Sequence, residues 1–325
     1  PAESELTPNE LKVFDVLPGD QKVTTIQETF VPKFDEKQFP ASEAELNVSL
    51  ERWQQNLNSK SFAGWPKGDS VPSLQTQKIA RHTNATVECD VYEFTSQNPY
   101  RLAFQVLRRT GATEPSDRLE FKVIDQAGWD EIAGELQSIS NQASDDEPSD
   151  TPRLTGIVNQ YSNAAVVLFA PRGVGPTRWS DQGKTGDPIR RRFMLLGQTA
   201  DAMRIWDIGR CLQAMEETSA LADHPINATS QGAAAAWLLL ASLQAPRIST
   251  LRLIDLPTTN REAISLLNVS RFIEMPQVVL MASRQVDAIE LLSDRNTKHP
   301  WRHAIDQTEM FQNVRLRFLK NPTTW

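Results

Sequence analysis

Cysteine is nearly absent from the chain: Cys89 and Cys211 are its only thiols in 325 residues. Two cysteines cannot staple a fold of this size or fill a thiolate zinc site, so a disulfide scaffold and a cysteine-ligated metal centre are excluded. Histidine is also scarce, and His82 and His224 are isolated, so no metal and no cofactor is expected. Basic charge is in the minority, 34 Lys and Arg against 41 Asp and Glu. A net charge of −7 argues against a general nucleic-acid binder, which needs a concentrated basic face. No apolar run approaches the roughly 20 residues that span a bilayer, so no membrane partner is expected. What remains is 39% hydrophobic and 23% charged, an ordinary globular composition that rules out global disorder. The first residue is Pro1 rather than methionine. The chain is therefore expected to be processed or a piece of a longer precursor, any export signal already gone and the setting periplasmic or secreted.

Two halves of the chain follow different patterns. Through residues 1–80, Pro8, Pro18, Pro32, Pro40, Pro66 and Pro72 punctuate thinly spread apolar residues. Ser42 and Glu45 form a capping box ahead of Leu46, Leu50, Trp53 and Leu57, which predicts a helix over 42–59. The segment reads as an extended arm plus a helix lying on a larger body. Alternating apolar residues then predict strands over 87–94, 101–108 and 119–124, followed by a helix over 129–139. The polar, acidic stretch 140–152 reads as an exposed loop.

From residue 164 strands and helices alternate. The continuous apolar run 164–170 reads as a strand buried on both faces. Helices are expected over 199–217, 232–244, 261–273 and 303–311. Strands are expected over 225–228, 250–256, 278–281, 288–292 and 314–319. This alternation predicts an α/β fold, a mostly parallel sheet with helices on both faces.

One junction in that pattern can carry chemistry. A short strand leads into Ser230, and a small-residue helix follows at once. This is the layout of a nucleophile elbow, G-x-S-x-G, in which the nucleophile sits on a strained turn and its neighbours two residues away must be small. Ala228 and Gly232 hold those positions here, and the N–H of Gln231 at the helix start would stabilise an oxyanion. The same residues also fit a plain strand–turn–helix with Ser230 as N-cap. Upstream, 171–176 (PRGVGP) is a Gly-rich turn after an apolar strand. Serine hydrolases draw a second oxyanion N–H from such a loop, and Gly173 or Val174 is the expected donor. No G-K-[ST] follows, so this is not a phosphate loop.

The segments 170–175 (APRGVG), 189–198 (IRRRFMLLGQ) and 204–210 (RIWDIGR) resemble bacterial α/β-hydrolases of the acetyl xylan esterase and dienelactone-hydrolase-like group. Segments 28–32 (ETFVP) and 62–66 (FAGWP) resemble large two-module members of that group, in which the equivalent stretch is the second, C-terminal module. The resemblance implies an α/β-hydrolase-like domain over 81–325 behind the 1–80 arm. It also implies an acylated carbohydrate as substrate, and an upstream catalytic module or partner chain. In that group the second module often has an eroded elbow.

A serine hydrolase also needs an acid and a histidine, in the order Ser…Asp/Glu…His. His299 and His303 are the histidines after Ser230, and His299, in a loop, is preferred. Asp255, ending a strand, is the preferred acid, with Asp287 and Asp294 as alternatives. Trp179 and Trp301 flank the site as candidate sugar-stacking platforms, core packing being the ordinary role of a tryptophan. Arg190, Arg191 and Arg192 are read as structural, with Asp207 as a buried partner. Two functions are therefore expected. In the first, Ser230 attacks an ester carbonyl of an acylated carbohydrate, with His299 as base and acid and Asp255 orienting it. In the second, the chain is a catalytically inactive hydrolase-like module that docks on a catalytic partner.

Overall fold

The computed structural model describes residues 7, 9–23, 25–31, 34–35, 38–112, 118–141, 151–161, 163–179, 183–245, 247–293, 301, 305 and 309–318. The described strands are β1 (Gln77–Thr83), β2 (Val87–Gln97), β3 (Tyr100–Arg109), β4 (Leu119–Val123), β5 (Ala165–Phe169), β6 (Ile226–Gln231), β7 (Ile248–Ile254), β8 (Ala288–Ser293) and β9 (Val314–Phe318). They form a single sheet in the order β1-β2-β3-β5-β4-β6-β7-β8-β9. Neighbours from β1 through β3 to β5 are antiparallel, and every pair from β5 to β9 is parallel. The described α-helices are α1 (Glu43–Asn56), α2 (Gln126–Asn141), α3 (Pro152–Gln160), α4 (Gly183–Leu195), α5 (Ala200–Glu217), α6 (Gly232–Ser242), α7 (Asn260–Ala263) and α8 (Met275–Ser283).

The core lies on both faces of the sheet, as expected for parallel strands. On one face Phe121, Phe169, Ile205, Leu238 and Val279 belong to one buried cluster. On the other, Leu107, Val166 and Leu168 pack with Ile132 of α2 and Ile157 of α3. That second face turns polar beyond β5. Arg252 reaches Glu120 and Glu290, Arg317 reaches Glu290, and the buried Lys122 sits 5.1 Å from the Tyr161 ring centroid.

Helix α1 begins as its sequence predicts, with Ser42 Oγ accepting from the Glu45 N–H at 3.3 Å. The Glu45 carboxylate reaches one residue further back, to the Ala41 N–H. Leu46, Trp53, Leu57 and Phe62 join the main core, and Phe34 docks through its N–H on the Ser270 carbonyl at 2.9 Å. Further upstream the arm displays Leu11, Val13, Phe14, Val16 and Leu17 to solvent.

Two expected elements differ. The strand expected at 278–281 lies inside α8, where Pro276 opens the helix and all nine residues are buried. A short, wholly apolar run has no periodicity to separate strand from helix. The helix expected at 261–273 stops after α7, where Ile264 turns extended (φ −150°, ψ 156°), and the left-handed Asn268, φ 61°, bends the chain again further on. Most of the helix expected at 303–311 lies outside the described residues. Strand β1 escaped the pattern because it is a polar edge strand exposed along most of its length.

Candidate active site

The strands β4 to β9 all point their C-terminal ends to one edge, where open α/β sheets place their sites. At that edge β6 turns into α6 through Gly232, whose φ is +58°. Gln231 before it is extended, and the run from Ala233 to Ala236 lets α6 lie close on the sheet. Among the described residues, nothing lies within 4 Å of a Cβ built on Gly232. Gly232 therefore occupies the strained corner between strand and helix, with open space in front of it.

Ser230 lies two residues earlier, inside β6. It is 0% exposed, and its Oγ donates to the Val123 carbonyl at 2.8 Å. The corner thus falls two residues later than the spacing predicts. Small-x-Nuc-x-small is met by Ala228-x-Ser230-x-Gly232, but equally by Ser230-x-Gly232-x-Ala234, and the backbone adopts the second register. The signal that separates them was Gly232 itself, since glycine tolerates the positive φ at the corner. Gln231 accordingly stands before the corner, and the residue after it is Ala233.

The expected oxyanion donors Gly173 and Val174 are also displaced. They follow β5, which is separated from β6 by β4. The Gly173 N–H already donates to Thr177 Oγ1 at 3.0 Å, and that of Val174 to the Pro171 carbonyl at 3.1 Å. Gly173 has a φ of +74°, and the Trp179 ring fills the space where its Cβ would stand. The loop is thereby a tight turn built around Trp179.

Asp255 ends β7 at the same edge as the corner, one step past the Ile254–Gln231 pair. It has a φ of +47°, and its N–H donates to the Leu292 carbonyl at 2.8 Å. Asp287 precedes β8 and so lies at the opposite edge, which removes it as the acid. His299, His303 and Asp294 lie outside the described residues. Trp301 is 7% exposed within the core, so it offers no stacking platform. Trp179 is half-buried, its ring against Phe193 and 5.6 Å from the Arg204 guanidinium.

Asp207 does hold a buried ion pair, but with Arg172 rather than with Arg190, Arg191 or Arg192, which are exposed. Arg172 donates from Nη2 and Nε at 2.6 and 2.8 Å and from its backbone N–H at 3.0 Å. Ser96 Oγ adds a fourth bond to the same carboxylate, and Tyr100 lies 4.7 Å from the guanidinium. The motif arginine thus ties the loop after β5 to α5. A neighbouring unit is similarly paired: Asp201 accepts from Arg204, Trp237 and the Ser265 N–H. Asp201 and Ser265 also line a cavity of about 710 Å³ beside α7. Among the described residues no cluster of metal-ligating side chains forms, and no helix is long and apolar enough to cross a membrane.

No family model and no curated protein matches the chain. Solved structures do. A Bacteroides fragilis protein assigned as an acetyl xylan esterase is 13% identical, with a TM-score of 0.62 over 90% of this chain and 80% of that one. A glucuronoyl esterase from Solibacter usitatus is 9% identical, with a TM-score of 0.55 over 90% and 94%. A methylesterase is 9% identical, with a TM-score of 0.57 over 89% and 64%. The chain has the α/β-hydrolase fold, in the form these esterases share.

Proposed function

We propose that this chain is a carbohydrate-esterase-like module without a nucleophile at its elbow, working beside a catalytic partner module or chain. The observation that carries this reading is the pairing of glycine at the left-handed corner with a serine buried two residues before it. A hydroxyl committed to a backbone carbonyl inside a sheet is not placed to attack a substrate. The apolar arm residues Leu11, Val13, Phe14, Val16 and Leu17 give the partner a surface to cover, since clustered exposed apolar residues commonly mark protein contacts. The partner's substrate class would be an acylated carbohydrate, in keeping with the names of the structural neighbours.

A second reading is favoured by the open space in front of Gly232 and by Asp255 on the adjacent strand. In it the chain is itself a serine esterase for acylated carbohydrate, with Ser230, His299 and Asp255 as the triad. One experiment separates the two. The full chain is treated with a fluorophosphonate and analysed by peptide mass spectrometry, with p-nitrophenyl acetate hydrolysis measured for wild type and Ser230→Ala. The first reading expects no adduct and equal background rates. An adduct on Ser230, with loss of hydrolysis in the variant, establishes the second.

A further inference from the structure

Apart from Val48 and Ile79, every exposed large apolar side chain among the described residues lies in one of two stretches. The first is the arm, where Leu11, Val13, Phe14, Val16 and Leu17 are all more than half exposed. Among the described residues, the hydrogen bonds of this stretch are local turns, such as the Leu11 N–H on the Thr7 carbonyl and the Gln21 N–H on the Pro18 carbonyl. Attachment to the body begins with Val31, which lines the cavity beside α7, and with the Phe34 N–H on Ser270. The second stretch is the end of α4. Gly197 has a φ of +69°, its N–H donates to the Met194 carbonyl, and that of Gln198 donates to the Phe193 carbonyl, both at 3.0 Å. This glycine-centred cap closes the helix, and Phe193 is held against Trp179. The helix end is therefore fixed in place, and it keeps Leu195 and Leu196 in water, 86% and 71% exposed.

The two stretches match in chemistry and in position. Both are apolar, and their charges differ in sign: Arg191 and Arg192 are exposed beside the α4 end, while the arm exposes Glu10, Asp15 and Asp20 against Lys12 and Lys22. Clustered apolar surface of this kind marks a protein contact, and opposite charge around it sets the partner. The root of the arm and the end of α4 are also neighbours on the body. Val31 shares its cavity with Asp201, which stands in the first turn of α5, a short step after the α4 cap. Two copies related by a two-fold axis at this place can each lay an arm across the other's α4, since a two-fold contact pairs patch with patch reciprocally. One such exchange covers both stretches on both copies.

We propose that the isolated chain forms a two-fold dimer in which the arm of each copy packs on Met194, Leu195 and Leu196 of the other. The arm is also the surface that the catalytic-partner reading uses, so the second copy is its occupant where that partner is absent. Sedimentation does not read the elbow, and a missing dimer and a reactive Ser230 are separate results. Sedimentation equilibrium of the full chain should show a monomer–dimer equilibrium. Leu195→Asp on α4 and Val13→Asp on the arm replace side chains that face water in a single copy, so the fold is kept. Each should raise the dimer dissociation constant by about tenfold or more, the loss expected when a buried leucine or valine contact is removed. Contact between copies is read by mixing Val13→Cys with Leu195→Cys under mild oxidation. The native Cys89 and Cys211 are buried, so the disulfide found by peptide mass spectrometry should join one chain of each variant. A monomer at every concentration, full dimerisation in either aspartate variant, or a double cysteine variant that closes within its own chain would each overturn the proposal.

Discussion

Ser230 and Val123 are joined across neighbouring strands: the serine Oγ donates to the valine carbonyl at 2.8 Å, fastening the end of β6 to the last residue of β4. The hydroxyl is fully buried there, and its partner is backbone rather than a base. Ser230→Ala should therefore act on stability and not on chemistry. A lost buried hydrogen bond predicts a destabilisation of about 1–2 kcal/mol, read as a lower urea midpoint at unchanged slope. A variant as stable as wild type would remove the structural role given to this hydroxyl.

Gly232 stands at the corner where a nucleophile would be strained, and its missing side chain would project into open space. Gly232→Cys should consequently be alkylated by iodoacetamide at neutral pH. The native thiols provide a silent background. Cys89 is buried, which pushes its thiol up to about 12, and Cys211 is fully buried and raised as well. The new thiol at a helix N-terminus should react at least about tenfold faster than either. Its cost in stability should be about 1 kcal/mol, the penalty for a side chain at positive φ. Slow labelling at position 232 would mean that the corner is covered.

The sheet from β2 onward was legible in the sequence because those strands are rich in apolar residues, alternating with polar ones or continuous as in β5, whereas the polar edge strand β1 was not. The strand-to-helix junction was legible too, since small residues crowd from Ala228 to Ala236. Its register was not. Ala228, Ser230, Gly232 and Ala234 satisfy one spacing rule twice, and a one-dimensional pattern carries no φ. The oxyanion loop was misplaced for a topological reason. β5 follows β4 in sequence but lies on its far side from β6, an exchange of neighbours that no local pattern announces. Charge partners were hidden in the same way: Asp207 meets Arg172, 35 residues away, instead of the nearer run Arg190 to Arg192.

That pair supplies a sharp contrast. Both side chains are buried and each is held by several hydrogen bonds, so removing one partner strands the other's charge in the core. Arg172→Gln and Asp207→Asn should each cost about 3–5 kcal/mol in chemical denaturation. Arg190→Gln or Arg191→Gln, on an exposed helix face, should stay within about 0.5 kcal/mol of wild type. Equal effects at the two places would contradict the structural assignment of the motif arginine.

Lys122 provides a pH signature of the polar half of the sheet. Burial pulls its ammonium down to about 8, with Arg252 adding to the fall and Glu120 opposing it. The folded state thus releases this proton before the unfolded chain, whose lysine titrates near ~10.4. Above that value both states hold a neutral amine and no penalty exists. As pH falls through the window toward 8 the penalty grows, because the buried amine must be charged, and below 8 it is complete. Between pH 8 and ~10.4 the unfolded chain binds more protons, so this residue's contribution to stability rises with pH by about 3 kcal/mol. Glu120, Arg252 and Tyr161 face the same amine, so the comparison is made between wild type and Lys122→Met in buffers across that window. The stability difference should shift in favour of wild type as pH rises. A difference that stays flat would mean that Lys122 remains charged at ordinary strength inside the sheet.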